Sequence, residues 1–311
     1  MTTEFFAPFA WRVLMAWAVL TPLSSPAAGW PQEKELWPEA GWQNPIQYDV
    51  PELVRKNAPG KAALSGANRV YSFVSKPTYS IQEPEVGKGN GVGLVICPGG
   101  GFRELWLDRE GNDLALWLKP YGVTSLVLKY RTNTEGKDGK RKYSNEVYQR
   151  AVVADARQAI RILRSHLVEQ NGNKARIGIC GFSAGGALAM YSVFEPDSEP
   201  GSKQVNGVPD FAGLFYPGLR GADAQLVQRA QRIPPLFIIN AVDDQTTPVG
   251  PCVDFYQLLL KAGAHAELHL YNLGGHGFDM GTGHGESVSL WKESFVAWLR
   301  DQGFLGHGST R

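Results

Sequence analysis

The residues Gly181-Phe182-Ser183-Ala184-Gly185-Gly186 have the types and spacing of a covalent nucleophile. They follow an apolar run, Arg176 to Cys180, and open a stretch of small residues suited to a helix from Ala184 to Phe194. A serine in the pattern G-x-S-x-G between a strand and a helix is a nucleophile elbow. The turn is so sharp that side chains two positions to either side of the serine would clash, and Gly181 and Gly185 supply none. Ser183 is then expected in a strained backbone conformation with its hydroxyl above the sheet. The helix beginning there points its N-terminal amides at developing negative charge. The bare pattern is a common accident and can be a plain structural turn. Its place between a buried strand and a small-residue helix makes it specific.

A serine hydroxyl is a weak nucleophile, so a base must take its proton and an acid must orient that base. In a sheet of this type the chain order is serine, acid, histidine. The six histidines are His166, His265, His269, His276, His284 and His307. His166 precedes the serine within a helical pattern, and His307 lies in the C-terminal tail. His265 and His269 flank or occupy the strand pattern Ala266 to Tyr271, where side chains are expected to alternate between two covered faces. His276 follows that strand in Gly274-Gly275-His276-Gly277-Phe278, a loop flexible enough to carry an imidazole over the sheet edge. It is the expected base, with His284, in a similar glycine-rich setting, as runner-up. For the acid, Asp243-Asp244 follow the strand Pro235 to Ala241 and precede Pro248. Asp244 suits a loop acid, Asp243 is the alternative, and one of such a pair is often a turn residue. Asp210 begins a strand at the opposite edge and is set aside.

Ester or amide chemistry develops negative charge on the substrate carbonyl oxygen, and hydrogen-bond donors must already be in place. Pro98-Gly99-Gly100-Gly101-Phe102 follows the strand ending at Cys97, and its glycines expose amides that no side chain shields. Gly100 and Gly101 are the expected loop donors and the Ala184 amide the second arm. A phosphate-cradling role for the same glycines is a minor reading, because neither a Walker-type Lys-Ser/Thr pair nor G-x-G-x-x-G spacing is present.

The elements that must position these groups are legible from hydrophobic periodicity. Strand-like runs occur at Val70 to Val74, Gly91 to Cys97, Val123 to Tyr130, Arg176 to Cys180, Phe211 to Tyr216, Pro235 to Ala241 and Ala266 to Tyr271. Several are nearly continuous in Val, Ile and Leu, as strands buried on both faces should be. Helical patterns lie between them: Leu114 to Leu118, Asn145 to Gln170, Ala184 to Phe194, Pro251 to Ala262 and Glu286 to Arg300. This alternation predicts an α/β fold with a mostly parallel central sheet covered by helices on both faces. Residues 29–68 lack periodicity, and Trp30, Trp37 and Trp42 are expected to pack along the domain rather than to stack on sugars. Lys137 to Lys142 reads as a solvated basic loop. No repeat and no second domain is evident.

The 311 residues are 43% hydrophobic and 20% charged, which excludes a disordered chain. Lys plus Arg number 31 against 30 for Asp plus Glu, so there is no basic excess for nucleic acid. Three cysteines cannot form a disulfide framework or a zinc spacing. Cys97 and Cys180 end neighbouring strands and are expected as buried thiols. Arg12, the apolar run Val13 to Leu20 and Ser24-Ser25-Pro26-Ala27-Ala28 describe a signal peptide, with cleavage after Ala27 or Ala28. The run is shorter than the roughly 20 residues needed to span a bilayer. The expectation is residues 1–27 as signal peptide and 28–311 as one catalytic domain, secreted or periplasmic; an uncleaved anchor is the alternative.

The chain resembles the α/β-hydrolase superfamily, specifically its secreted acetylxylan-esterase or xylanase-like carbohydrate-esterase group. The resemblance rests on Cys97 to Phe102, Glu110-Gly111, Val127 to Arg131, Asp155 to Arg161, Ile177 to Gly186, Tyr216-Pro217-Gly218, Asp243 to Pro248 and Glu267 to Phe278, in that order. It implies the fold, a triad of Ser183, Asp244 and His276, and no cofactor. It leaves the acyl group and the alcohol open. No paired carboxylates stand as glycoside hydrolysis would need. The expected partner is a small-molecule or polysaccharide ester, with no nucleic acid and no stable membrane span. Residues 217–234 are too short and polar for a lipase-like lid, which favours short acyl groups such as acetyl on carbohydrate. Trp106 or Phe102 near the oxyanion loop would instead suit a feruloyl ester. A peptidase of this fold usually carries a large additional domain, for which the length leaves no room. A non-catalytic carbohydrate-binding protein on this scaffold is the reading from another class, and here all three triad positions are filled.

Overall fold

The apolar runs pair into one central sheet. The computed structural model describes residues 30–38, 44–56, 63–66, 68–197 and 205–306. The proposed signal peptide, Trp42 and His307 lie outside them. The described strands are β1 (Lys34–Glu35), β2 (Leu53–Arg55), β3 (Val70–Ser72), β4 (Thr78–Gln82), β5 (Val92–Cys97), β6 (Glu104–Trp106), β7 (Thr124–Lys129), β8 (Arg176–Phe182), β9 (Phe211–Phe215), β10 (Leu236–Ala241) and β11 (Ala266–Tyr271). The α-helices are α1 (Asp113–Leu118), α2 (Asn145–Asn171), α3 (Ala184–Phe194), α4 (Ala224–Arg229), α5 (Val249–Lys261), α6 (Glu286–Ser289) and α7 (Trp291–Asp301), and a π-helical turn spans Asp108–Asn112.

Eight strands form the main sheet in the order β1-β4-β7-β5-β8-β9-β10-β11. From β7 to β11 every pairing is parallel, while β1 and β4 add an antiparallel edge. Every residue of β5, β7, β9 and β10 is buried, as strands covered on both faces require. Helices α2 to α5 line one face and α1 and α7 the other, giving the α/β architecture expected from the alternation of patterns. The stripe Val152, Ala156, Ile160, Leu163 and Leu167 on α2 is buried, because spacing of three and four residues keeps these side chains on one face. Ser144 caps that helix by accepting the Val147 amide.

The structure departs from the periodicity in four places. Val70–Ser72 is outside the main sheet and forms a small antiparallel sheet, β2-β3-β6. Thr78–Gln82, half-buried along its length and without an apolar run, supplies the antiparallel strand β4. The strand β11 is terminal in the sheet, so His269 is half-buried and His265 exposed, and the two covered faces expected there do not exist. The helix expected from Glu286 to Arg300 breaks at Leu290. The break turns Trp291 fully into the core, where its Nε1 donates to the Asp279 carbonyl at 2.9 Å. Trp37 packs as anticipated: its Nε1 donates to Asp155, the partner of the buried Arg131.

Candidate active site

The elbow forms as the glycines require. Ser183 sits at φ 52°, ψ −113°, between β8 and the start of α3. Its amide donates to the Phe215 carbonyl at 2.9 Å and its carbonyl accepts from Gly218 at 3.0 Å, so the turn is pinned to the next strand. A Cβ on Gly181 would lie 2.1 Å from the Gly185 carbonyl oxygen, and one on Gly185 would lie 2.0 Å from the Cys97 carbonyl oxygen. Both contacts are with backbone, which cannot swing aside.

The loops after β10 and β11 converge on this turn because parallel strands present their carboxyl ends on one edge. Ser183 Oγ lies 2.9 Å from His276 Nε2, and His276 Nδ1 lies 2.8 Å from Asp244 Oδ2. Asp244 is 2% exposed and its Oδ1 accepts the amides of Thr246 and Thr247, both at 2.8 Å. Burial pushes this carboxyl up, but hydrogen bonds from His276 and from the Thr247 amide and hydroxyl outweigh it and hold it below the usual carboxylate range. Asp243 is exposed and does a different job, accepting the Gly275 amide at 2.7 Å and so holding the histidine loop. His284 Nδ1 donates to the Gly274 carbonyl, 2.8 Å away, and is not hydrogen-bonded to the serine. His166 pairs with Glu83, His269 with Glu267, and Asp210 accepts the Ile177 amide at the start of β8.

The glycine loop after β5 is almost fully engaged. The Gly99 amide donates to Glu110 Oε2 at 2.8 Å, and the Gly99 carbonyl accepts from Trp106 at 3.1 Å. The Gly100 carbonyl accepts from Arg103 and Glu104, and the Gly101 carbonyl from Arg141 Nη2. The amides of Gly100 and Gly101 have no acceptor among the described residues, and Ala184, first in α3, lies where amides lack an intrahelical partner. Gly100 (φ 132°) and Gly101 (φ 63°) occupy conformations that favour glycine, which lets this turn bend toward the serine. Ser183, His276, Gly100 and Gly101 face one open cleft of about 580 Å³, with Arg103, Glu104, Trp106 and Arg109 along its sides. Trp106 lines the cleft beneath the Arg109 guanidinium, which itself pairs with Asp279. Phe102 turns inward against Tyr130 and Tyr148, so it is not available to stack on a substrate. Residues 217–234 carry only the six-residue α4, whose Leu226 and Val227 are buried in the body of the domain.

Three residues around the site, Thr247, Tyr216 and Glu110, fall in stretches that carry the resemblance, but the sequence assigns none of them a role. Thr247 Oγ1 lies 2.8 Å from Asp244 Oδ2, 3.1 Å from His276 Nδ1 and 3.1 Å from the Tyr216 carbonyl. Its position just after the acid and before Pro248 is the one local signal. Tyr216 and Glu110 are joined by a 2.7 Å hydrogen bond across 106 positions of chain, and no spacing rule reaches that far. Burial raises the Glu110 carboxyl more than its hydrogen bonds from Tyr216 and Gly99 lower it. Cys97, Cys180 and Cys252 are buried free thiols, and burial raises all three. Among the described residues no cluster of His, Cys, Asp and Glu is arranged to hold a metal ion, and no helix is long and apolar enough to cross a membrane.

The chain is 31% identical over 222 residues to an acetylxylan esterase of Xylanibacter ruminicola, covering 62% of this chain and 42% of that protein. It is 25% identical over 211 residues to an endo-1,4-beta-xylanase B of Butyrivibrio fibrisolvens, covering 59% of this chain and 32% of that one. It thus spans less than half the length of these relatives. Among solved structures, an acetyl ester-xyloside bifunctional hydrolase from Caldicellulosiruptor lactoaceticus superposes with a TM-score of 0.64 at 25% identity, covering 91% of this chain and all of that one. Thermogutta terrifontis esterase 2 phosphoramylated by tabun superposes at 0.62 with 22% identity, covering 86% of this chain and 98% of that one, a likeness of fold. The sequence pattern of one family matches residues 128–302, more than half of the chain, including the elbow, both aspartates and the histidine loop. The chain belongs to the dienelactone hydrolase family, with the α/β-hydrolase fold.

Proposed function

We propose that this chain is a serine carboxylic-ester hydrolase that removes short acyl groups, foremost acetyl, from carbohydrate. The observation that carries the reading is the chain of hydrogen bonds Ser183–His276–Asp244 opening onto a cleft beside the unengaged amides of Gly100 and Gly101. His276 Nε2 takes the Ser183 proton as Oγ attacks the ester carbonyl, and Asp244 steadies the imidazolium that forms. The carbonyl π electrons move to oxygen, and the amides of Ala184 and the glycine loop receive that oxyanion. Collapse breaks the ester C–O bond, and the departing alkoxide takes the proton from His276 and leaves as the alcohol. Water then enters, gives a proton to His276 and attacks the acyl-enzyme; collapse of the second tetrahedral species breaks the bond from the acyl carbon to Ser183 Oγ, which takes the proton back from His276 as the carboxylic acid leaves.

The acyl preference rests on the open cleft and the absence of a lid in residues 217–234. Burial of a long acyl chain contributes about 0.8 kcal/mol per methylene, and a cleft sided by Arg103, Glu104 and Arg109 offers little surface for it. A polymeric alcohol, in contrast, fits an open rim. Trp106 at the cleft supports a feruloyl ester as the second substrate. Export through a signal peptide at residues 1–27 belongs to the same proposal, and N-terminal sequencing of the secreted protein checks it: an intact Met1 would refute cleavage.

The test is kcat/KM across acetyl, butyryl, octanoyl and feruloyl esters, with acetate release from acetylated xylan and Ser183→Ala as control. Acetyl should lead and the variant should be inactive but folded. A maximum at octanoyl overturns the cleft argument, and a feruloyl maximum selects the second substrate. Full activity in Ser183→Ala overturns the mechanism. A fluorophosphonate probe should label Ser183; failure to label would favour a non-catalytic binding protein, and cleavage of peptides in place of esters a peptidase.

A further inference from the structure

We propose that Glu110 is a positioning residue that holds the oxyanion loop, and that Tyr216 ties it to the histidine and acid loops. The proposal deepens the ester-hydrolase reading and rests on it. Glu110 is 7% exposed and spends both carboxylate oxygens on the site: Oε2 accepts the Gly99 amide at 2.8 Å and Oε1 the Tyr216 hydroxyl at 2.7 Å. Tyr216 Oη in turn accepts the Asp279 amide at 3.1 Å, three residues beyond His276. The Tyr216 ring stands edge-on to the His276 ring at 5.3 Å, and its carbonyl oxygen lies 3.1 Å from Oγ1 of Thr247, on the loop that carries Asp244. One tyrosine thereby touches the histidine and acid loops directly and the glycine loop through Glu110.

A buried carboxylate is a costly choice for packing, since a well-fitting apolar side chain of similar volume is often neutral or more stable. What an apolar residue cannot do is accept the Gly99 amide. With Glu110 in place, every carbonyl of Gly99, Gly100 and Gly101 and the Gly99 amide is engaged, which leaves the amides of Gly100 and Gly101 aimed by default. A Cβ on Gly99 would lie 2.7 Å from Glu110 Oε2 and 3.0 Å from Ser183 Cβ, so loop, carboxylate and nucleophile are in mutual contact. Without the acceptor, the Gly99 peptide is free to rotate and carries its neighbours off the oxyanion position.

The experiment measures kcat, KM, melting temperature and the Ki of a trifluoromethyl ketone, which forms a tetrahedral oxyanion adduct on the serine, for Glu110→Leu, Glu110→Gln, Tyr216→Phe and Glu110→Gln/Tyr216→Phe. Losing one oxyanion donor costs about 10²–10³ in kcat. Glu110→Leu should therefore lower kcat about 10²-fold with KM within about threefold and raise the ketone Ki by a similar factor, while the melting temperature falls modestly because the Gly99 amide and Tyr216 hydroxyl lose their acceptor. Glu110→Gln, whose carbonyl can still accept from Gly99, should recover most of the loss. If Glu110→Leu does not fold, Glu110→Gln, Tyr216→Phe and their double variant decide: both single variants should raise the ketone Ki, and less than additively together. Wild-type kcat and Ki in Glu110→Leu, a loss confined to KM, additive effects, or unchanged Ki in both single variants would overturn the proposal. Inactivity of the wild-type protein itself, with no Ser183 labelling, would instead overturn the esterase reading.

Discussion

Replacing Asp244 by asparagine should silence His276 as the proposed base. Asp244 Oδ1 accepts the amides of Thr246 and Thr247, and Oδ2 accepts from His276 Nδ1 and the Thr247 hydroxyl, all at 2.8 Å. An asparagine carbonyl can keep both amide bonds, and the reverse orientation would set its NH₂ against two N–H donors. The NH₂ must then face His276 Nδ1. That nitrogen becomes an acceptor, the ring proton moves to Nε2, and Nε2, 2.9 Å from Ser183 Oγ, can no longer take a proton. The same wrong-tautomer effect lowers kcat about 10⁴-fold in a serine-protease triad, or about 5.4 kcal/mol at 1.36 kcal/mol per decade. A fall of about 10³- to 10⁴-fold in kcat/KM for 4-nitrophenyl acetate is expected here. Stability should change less by comparison, because the NH₂ can donate to both His276 Nδ1 and Thr247 Oγ1, and what is lost is the charge assistance of the two bonds to Oδ2. Asp243→Asn is the matched control: its one bond, to the Gly275 amide, survives in the amide, so activity should stay within about threefold. More than a tenth of wild-type activity in Asp244→Asn, or an equal loss in Asp243→Asn, would refute the assignment of the acid.

His276→Ala should be as severe as loss of the nucleophile and His284→Ala mild, read as kcat/KM on acetyl esters; the reverse order reassigns the base. Gly185→Ala should destabilise by about 3 kcal/mol or more, since its Cβ meets the Cys97 carbonyl oxygen at 2.0 Å, whereas Gly275→Ala, with open space but φ 64°, should cost about 1–2 kcal/mol by denaturant titration. Equal effects would sink the steric account. Because hydrogen bonds hold the Asp244 carboxyl below its usual range, its contribution to stability is full above about pH 4 and lost as pH falls through the depressed value. The melting-temperature gap between wild type and Asp244→Asn should therefore narrow below pH 4, and a gap that widens there contradicts the sign.

Local pattern was enough for much of this protein because much of it is locally determined. A strand buried on both faces is mostly apolar, so β5, β7, β9 and β10 are legible from stretches such as Leu94 to Ile96, Leu126 to Leu128 and Leu236 to Ile239. The elbow is legible in part because one clash it avoids is local, between Gly181 and Gly185, although the Gly185 clash is with the Cys97 carbonyl on another strand. Ser183, His276 and the pair Asp243-Asp244 each stand after a strand, and parallel strands deliver the loops at their carboxyl ends to one edge of the sheet. The place of Asp244 before Pro248 favours it only weakly over its neighbour Asp243, and only the folded loops send one carboxylate to the imidazole and the other to the Gly275 amide. Sheet order is likewise no property of a window of sequence. The half-buried strand β4, the edge position of β11 and the exposure of His265 depend on which strands end up as neighbours. Glu110, Tyr216 and Asp279 lie 106 and 63 positions apart along their two hydrogen bonds, and meet because tertiary packing closes those loops. Short-range sterics and burial write themselves into residue type and spacing, whereas a hydrogen bond between distant loops leaves no periodic trace, and only the folded chain decides it.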